Sequence, residues 1–266
     1  MSPTQSLERL LSALRPHPAL AVAVSGGVDS MVLAYLAHRY ASSTVEAVHA
    51  VSAAVPAAAT ERVRRHALRH GWKLRLIDAG EMADPDYLRN PVDRCFHCKK
   101  NLYDRMGAVA GVPTASGTNV DDLSDFRPGL EAARQRGVIH PYVEAGLRKA
   151  DIYALAQAHG LDDLAVLPAQ PCLASRIETG IGVDEGALRF IEQAELGLAQ
   201  LLPGQGALRC RITAAGVVLE CDSVPAGAAR QALEQWAESF CVQAGRRFAG
   251  VRPYRRGAAF LRVQPA

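Results

Sequence analysis

The chain has 266 residues, a length that favours one large domain or two smaller ones. Hydrophobic residues make up 49% of it and charged residues 21%, which excludes disordered, collagen-like and disulfide-scaffold proteins. The net charge of +3, from 30 basic and 27 acidic residues, is too balanced to indicate a nucleic-acid-binding surface.

The sequence contains no apolar run of the length needed to span a membrane, about 18 residues without a charge. Residues 1–16 carry Glu8 and Arg9 inside their apolar pattern, unlike a signal peptide. A cytoplasmic location is therefore expected. In a reducing compartment, cysteines close in sequence favour metal or redox chemistry over disulfides.

Short apolar runs alternate with helical patterns over the first half of the chain. Strands are predicted at 19–24, 45–49, 73–77 and 112–115, and helices at 6–14, 29–40, 57–70, 99–109 and 148–159. This alternation predicts parallel strands joined by right-handed crossovers. Residues 1–165 are therefore predicted to form an α/β domain with a doubly wound parallel sheet.

The pattern changes in the second half. Residues 166–180 are rich in Pro and Gly and predict a loop, followed by helices at 184–198 and 226–238. Strands are predicted at 208–213 and 217–220, and residues 248–263 mix short strands with arginine. Residues 166–266 are thus predicted to form a smaller α+β domain.

The hexapeptide SGGVDS at residues 25–30 lies between the first predicted strand and the following helix. Two glycines let the backbone approach a ligand closely, and the start of the helix presents N–H groups and a positive dipole end. Ser25 and Ser30 add hydroxyl donors. The alternative is an ordinary strand-to-helix turn with a serine cap. In this setting the segment predicts an anion-binding loop that is neither the dinucleotide fingerprint nor a Walker-type loop.

A second polar segment, Gly-Thr-Asn at 117–119, follows the fourth predicted strand. A turn of this kind at a strand end predicts a nucleotide contact through Thr118 and Asn119. The acidic residues that follow, Asp121 to Asp125, could hold Mg²⁺ or orient a substrate. The alternative is a solvated acidic loop that caps a helix.

Cys95 and Cys98 form a Cys-x-x-Cys pair. Zinc would need four ligands, and zinc, a redox pair, iron–sulfur ligation and burial of two small residues all remain open. Cys172 is the remaining candidate for a third ligand beside Cys95 and Cys98. Three thiolates can hold a cubane cluster and leave one iron open to another ligand. Arg176, close behind Cys172, would favour its thiolate.

Arg209 and Arg211 are two residues apart on a predicted strand and so share one face. Two guanidinium groups side by side predict a phosphate or carboxylate site, with a solvated strand face as the alternative. Cys210 points the other way, into the core. Together with Cys221 and Cys241, it is interpreted as structural.

These motifs resemble one superfamily. SGGVDS resembles the pyrophosphate loop of the PP-loop ATP pyrophosphatases, and the GTN segment resembles their second ATP-contacting stretch. Taken with CFHCK, PCLASRI and the Arg-x-Arg strand, in this order and spacing, residues 7–220 resemble the LarE-type sulfur transferases. PCLASRI is the discriminating motif, because SGGVDS alone indicates only the superfamily.

The resemblance implies an ATP- and Mg²⁺-dependent sulfurtransferase that acts in nickel-pincer nucleotide cofactor biosynthesis. It would adenylylate and thiolate the carboxylates of pyridinium-3,5-biscarboxylic acid mononucleotide, forming AMP and pyrophosphate. Cys172 corresponds to the cysteine that gives up its own sulfur in some members. With Cys95 and Cys98 also present, the resemblance implies the subtype whose three cysteines hold a 4Fe–4S cluster with an extra sulfide. A sulfide or other sulfur donor and a homo-oligomer are the other partners implied.

The resemblance also implies roles for single residues. The pyrophosphate and ATP contacts fall to Ser25, Gly26, Gly27, Asp29, Ser30, Thr118 and Asn119. Arg209 and Arg211 would bind the phosphate of the substrate or released pyrophosphate. Glu195 matches an acidic position of the family, and Arg176 would steady the adenylate.

Three other functions remain open. The first is a PP-loop tRNA thiolase with a three-cysteine 4Fe–4S cluster; the low net charge and Val28, where tRNA-modifying members commonly have lysine, argue against it. The second is a nucleotide-binding sensor that uses a cluster and catalyses nothing. The third is an ammonia-using amidotransferase resembling NAD synthetase, which would give the three cysteines no purpose.

Overall fold

The computed structural model describes residues 1–124, 127–255, 257 and 259. The chain divides into two compact units: Met1–Glu81 with Cys95–Gln170, and Met82–Arg94 with Pro171–Ala266. The sequence places a single boundary between residues 165 and 166, whereas the second unit also takes a segment from the first half of the chain. Asp125 and much of 254–263, parts of two sequence predictions, lie outside the described residues.

The first unit contains a four-stranded parallel sheet in the order β3-β2-β1-β4. Its strands are β1 (Ala19–Ala23), β2 (Thr44–Ala50), β3 (Leu74–Ile77) and β4 (Thr114–Ser116). This confirms the predicted α/β class with a parallel sheet. The chain leaves β1 toward β2 and β3, then returns to the opposite side of β1 as β4. The strand order therefore reverses between β1 and β4. This is a topological switch point, and open α/β sheets bind ligands there, outside the carboxyl ends of the strands.

Eleven α-helices are formed by the described residues. In chain order they are α1 (Pro3–Leu14), α2 (Val28–Tyr40), α3 (Ala57–His70), α4 (Pro85–Leu88), α5 (Arg94–Ala110), α6 (Pro128–Gln135), α7 (Pro141–Glu144), α8 (Lys149–Ala158), α9 (Asp162–Ala165), α10 (Glu185–Leu201) and α11 (Gly227–Gln243), with 3₁₀ turns at Glu81–Ala83, Val120–Ser124 and Leu173–Arg176. None of these helices is long and apolar enough to cross a bilayer.

The core of the first unit follows from the alternation of side chains along β1. Leu20 and Val22 belong to a cluster that includes residues of α1, α2 and α8, while Ala21 belongs to a second cluster with Tyr103 and Met106 of α5. Both faces of the strand are thus covered, which explains its continuous small-apolar sequence.

The second unit contains a three-stranded sheet in the order β5-β6-β7, formed by Leu208–Thr213, Gly216–Cys221 and Phe248–Pro253. β5 and β6 are antiparallel, and β7 runs parallel to β6. Asn90 attaches the inserted segment to this unit. It is fully buried, and its Nδ2 donates to the carbonyl oxygens of Glu178 and Ile181, each at 2.8 Å.

The start of α5 and four short helices differ from the sequence prediction. α5 begins at Arg94 rather than at residue 99, so the Cys-x-x-Cys pair lies on the first turns of the helix. α4, α6, α7 and α9 were not predicted. They have four to eight residues each, too few for an apolar period to stand out.

Candidate functional site

The loop after β1 is fixed against α3. Gly26 has φ +82°, and a Cβ there would lie 2.8 Å from the carbonyl oxygen of Ala59 and 2.9 Å from its Cβ. Arg62 Nη1 donates to the Gly26 carbonyl oxygen at 2.8 Å. Glycine is therefore required at position 26 both for its backbone conformation and for space.

Two serines close this loop on the first turn of α2. Ser30 Oγ donates to the Gly27 carbonyl oxygen at 3.1 Å, and the Ser25 N–H donates to Ser30 Oγ at 3.0 Å. A Cβ at Gly27 would meet only Ser25 Oγ, at 3.5 Å, so the space in front of it is open. The N–H groups of residues 28–30 have no acceptor within the helix, and they give the loop donors for an anion.

The loop after β4 lies directly against this turn. A Cβ at Gly117 would come within 2.7 Å of Ser30 N and 2.9 Å of Ser30 Cα, so backbone meets backbone here. Asn119 Nδ2 donates to Asp29 Oδ1 at 3.3 Å. The two segments predicted to contact a nucleotide are thus adjacent.

Lys149, which the sequence analysis did not select, brings a cation to the same place. Its Nζ lies 2.5 Å from Asp29 Oδ2 and 5.3 Å from the centre of the Tyr153 ring. The side chain stays about one-third exposed. One signal was available: Lys149 is one of only four lysines in a chain rich in arginine, but nothing local connects it to a loop 120 residues earlier.

The acidic loop is already balanced by cations. Asp121 Oδ1 accepts from Arg148 Nη1 at 2.8 Å, and Arg127 Nη2 lies 2.8 Å from Asp122 Oδ1. Since Lys149 also pairs with Asp29, the carboxylates of Asp29, Asp121 and Asp122 do not form a dedicated Mg²⁺ site. Mg²⁺ in such sites is commonly held by substrate phosphates and water, so the residues present fit an ion that arrives with a nucleotide.

The three predicted cluster ligands belong to different units. Cys95 and Cys98 are half-buried and three positions apart on α5 in the first unit, so their side chains lie on one face of the helix. Cys172 is half-buried in the second unit and precedes the 3₁₀ turn. Among the described residues, no group of three or more His, Cys, Asp or Glu side chains is arranged to hold a metal ion. The cluster therefore stays a prediction.

The other three cysteines are buried, as predicted for structural residues. Burial raises the pKa of the Cys210 thiol far above its ordinary value, and it also raises the pKa of Cys221 and Cys241. These thiols stay protonated and are poor nucleophiles or ligands.

Arg176 organises the backbone around Cys172. Its Nε and Nη2 each donate to Glu195 at 2.9 Å, while Nη1 donates to the carbonyl oxygens of Pro171 at 2.6 Å and Cys172 at 3.1 Å. Only 4% of its side chain is exposed. Because its donors are used in this way, Arg176 and Glu195 are built to position the Cys172 turn.

The two arginines of β5 differ in their partners. Arg211 is buried and pairs with the fully buried Glu220, which also accepts from Arg252. Arg209 is half-buried, and no carboxylate in the described part of the chain lies within ion-pair distance of it. Burial lowers the pKa of Arg209, and the nearby charge of Arg176 adds to the shift. Arg209 is therefore a cation that an incoming anion would stabilise.

Comparison with known proteins gives three relatives, and no family model matches the chain. The chain is 35% identical to the uncharacterized protein slr1717 of Synechocystis over 184 residues, which is 68% of each of the two proteins. It is 24% identical to the uncharacterized protein MJ0830 of Methanocaldococcus jannaschii over 194 residues, 71% of this chain and 72% of that protein. It is 29% identical to the pyridinium-3,5-bisthiocarboxylic acid mononucleotide synthase of Lactiplantibacillus plantarum over 157 residues, 57% of each.

Proposed function

Because the chain belongs to the family of the Synechocystis protein slr1717 and is similar to a pyridinium-3,5-bisthiocarboxylic acid mononucleotide synthase, we propose that it is a LarE-like, ATP-dependent sulfur transferase. Its substrate would be pyridinium-3,5-biscarboxylic acid mononucleotide. The observation that carries this proposal is the junction at the switch point, where the Gly117 backbone packs on Ser30 and Lys149 reaches Asp29. A donor-rich turn with an adjacent cation suits a triphosphate.

In this proposal, ATP binds through its phosphates. The N–H groups of residues 28–30 donate to phosphate oxygens, and Ser25 and Ser30 shape the loop through their hydroxyls. Lys149 adds a positive charge beside the leaving group, with Asp29 and Asn119 fixing its place. Mg²⁺, when bound, offsets the phosphate charge. Thr118 completes the contact from the loop after β4.

The reaction then takes two balanced steps for each carboxylate. A carboxylate oxygen of the substrate bonds to the α-phosphorus, the bond from that phosphorus to the bridging oxygen breaks, and pyrophosphate leaves with the electron pair. A sulfur nucleophile next bonds to the acyl carbon, and AMP leaves with the electrons of the carbon–oxygen bond. Lys149 stabilises the charge that develops on pyrophosphate in the first step.

The second unit is proposed to hold the mononucleotide. Arg209 would bind its phosphate or the released pyrophosphate, since no carboxylate in the described part of the chain lies within ion-pair distance of this guanidinium group and burial disfavours its charge. Arg211 would support Arg209 from the same face of β5 while remaining paired with Glu220. Arg176 and Glu195 would hold the turn that presents Cys172.

The sulfur is proposed to come from the three-cysteine form, in which Cys95, Cys98 and Cys172 ligate a 4Fe–4S cluster that, when bound, supplies an extra sulfide. Iron and acid-labile sulfide should then be measured on protein purified without oxygen. About four irons per chain, lost in Cys95→Ala and Cys172→Ala but retained in the buried control Cys221→Ala, would support this form. Protein without iron after reconstitution would instead leave Cys172 as a donor of its own sulfur.

The function is tested by incubating the protein with ATP, Mg²⁺, a sulfide source and the pyridinium dicarboxylate mononucleotide. The expected products are AMP, pyrophosphate and a thiocarboxylate detected by mass spectrometry, with pyrophosphate release that depends on the pyridinium compound. No release with this substrate, combined with salt-sensitive binding of bulk tRNA, would favour the tRNA thiolase instead. Homo-oligomerisation and a cytoplasmic location remain predictions, tested by light scattering and cell fractionation.

A further inference from the structure

A histidine sits behind the proposed ATP loop. Ile139 forms a parallel bridge with Ala115 of β4, which places the next residue, His140, at the carboxyl end of the sheet. His140 Nδ1 lies 2.8 Å from Ser116 Oγ, and Ser116 Oγ lies 3.0 Å from Thr118 Oγ1. The three side chains form a continuous hydrogen-bonded chain that ends at the loop after β4.

The number of hydrogens on the three side chains limits this series of hydrogen bonds to two directions. Each hydroxyl carries one hydrogen, and a neutral imidazole carries one on either Nδ1 or Nε2. With the hydrogen on Nδ1, His140 donates to Ser116, Ser116 donates to Thr118, and the Thr118 hydroxyl can donate outward. With the hydrogen on Nε2, every bond reverses, and Thr118 uses its only hydrogen on Ser116.

We propose that His140 is a positioning residue that turns the Thr118 hydroxyl into a hydrogen-bond donor toward the nucleotide. This inference rests on the proposed function, because it requires ATP at this loop. An anionic phosphate near Thr118 stabilises the donating direction, and Ser116, which is 6% exposed, passes that preference to His140. The ring acts only through Ser116 and Thr118 and does not touch the nucleotide.

The surroundings of His140 support a neutral ring. Burial lowers its pKa, although the carboxylates of Glu144 and Asp122 oppose the shift. A neutral imidazole can adopt either hydrogen position, so a ligand can select one. A permanently charged ring would donate in every state and would offer no such selection.

The test compares ATP affinity, measured by calorimetry, in wild type and variants. His140→Ala is expected to weaken ATP binding by about 3- to 10-fold, the range for one neutral hydrogen bond. His140→Asn is the matched control, because its Nδ2 can occupy the position of Nδ1 and should restore affinity to within about 2-fold. In a Thr118→Val background, His140→Ala should cause no further loss, since residues that act as one unit are non-additive.

Three results would overturn the inference: unchanged affinity in His140→Ala, an Asn variant as weak as the Ala variant, or additive losses in the double variant. Thermal melting of the ligand-free proteins separates these results from a folding defect, because each variant must remain fully folded at the temperature of the titration. If the wild-type protein fails to bind ATP, the proposed function itself is refuted. If wild type and His140→Ala bind ATP equally, only the role of His140 is refuted.

Discussion

Replacing Gly117 with alanine should separate the two loops that meet at the switch point. The new Cβ would lie 2.7 Å from Ser30 N and 2.9 Å from the carbonyl carbon of Asp29. Both are backbone atoms in the first turn of α2, so no flexible side chain can move aside. Overpacking of this kind costs about 1–3 kcal/mol. At about 2–4 °C per kcal/mol for a protein of this size, the melting temperature should fall by roughly 2–12 °C.

Gly27 provides the matched control within the same site. Its φ is −81°, and its new Cβ would meet only Ser25 Oγ at an ordinary distance of 3.5 Å. Gly27→Ala should therefore melt close to wild type, while its methyl group stands in the open space before the N–H donors and weakens ATP binding. Thermal melting without ligand, followed by calorimetric titration with ATP, separates the two effects.

A Gly117→Ala protein that melts within about 1 °C of wild type would contradict this prediction, because that shift is below the smallest one that overpacking predicts. Equal losses of stability in the Gly117→Ala and Gly27→Ala variants would contradict it as well. Either result would mean that the loop after β4 can move away from α2 without cost, so that their contact does not fix the site.

Lys149→Met should weaken ATP binding by about 10-fold or more, since it removes a charge-assisted hydrogen bond. Lys73→Met, at a solvent-exposed lysine, is the control and should leave the affinity measured by calorimetry unchanged. Equal effects of the two substitutions would contradict the placing of Lys149 beside the phosphates. Glu220→Gln breaks a buried pair and should cost about 3–5 kcal/mol in urea unfolding, whereas Glu234→Gln at an exposed pair should stay within about 0.5 kcal/mol. Burial lowers the pKa of His49 below its ordinary value of 6.5, so the unfolded state binds a proton more readily than the folded state. The folded protein therefore loses stability as the pH falls through 6.5, the pKa of this residue in the unfolded chain. The urea midpoint should drop between about pH 7.5 and about pH 5.5, and the drop should shrink in His49→Gln; an equal drop in both proteins would exclude His49 as a cause.

Local patterns in the sequence were sufficient for the four strands of the first unit and for its helices α1, α2, α3 and α8. The helix predicted at 57–70 is α3, Ala57–His70, because its apolar spacing and the glycine after it are both local signals. The turn after β1 was equally predictable, because two glycines between a buried strand and a helical pattern are a local signal.

Contacts between residues far apart in sequence were not predictable. Lys149 meets Asp29 only because α8 packs beside α2, and no local period encodes that packing. On β5, the alternation of side chains placed Arg209 and Arg211 on one face. Glu220 lies directly opposite Arg209 in the strand register, yet its carboxylate pairs with the diagonal neighbour Arg211. No local pattern in the sequence encodes that choice of partner.

The helical start of α5 was missed for a different reason. The helical pattern was predicted over 99–109 only, so the predicted helix begins after both cysteines. Arg94 instead begins the helix, and a Cys-x-x-Cys pair on a helix keeps both thiols on one face.

The second unit is built from two stretches that are separated in the chain by Cys95–Gln170. A gene segment encoding residues 171–266 would therefore carry most of this unit but not Asn90, which supplies hydrogen bonds to the Glu178 and Ile181 carbonyl oxygens. A single recombination event could not exchange the unit intact between relatives, because two separate exchanges would be required. The arrangement therefore favours inheritance of both units as one piece, so that they diverge together and are not shuffled as independent modules.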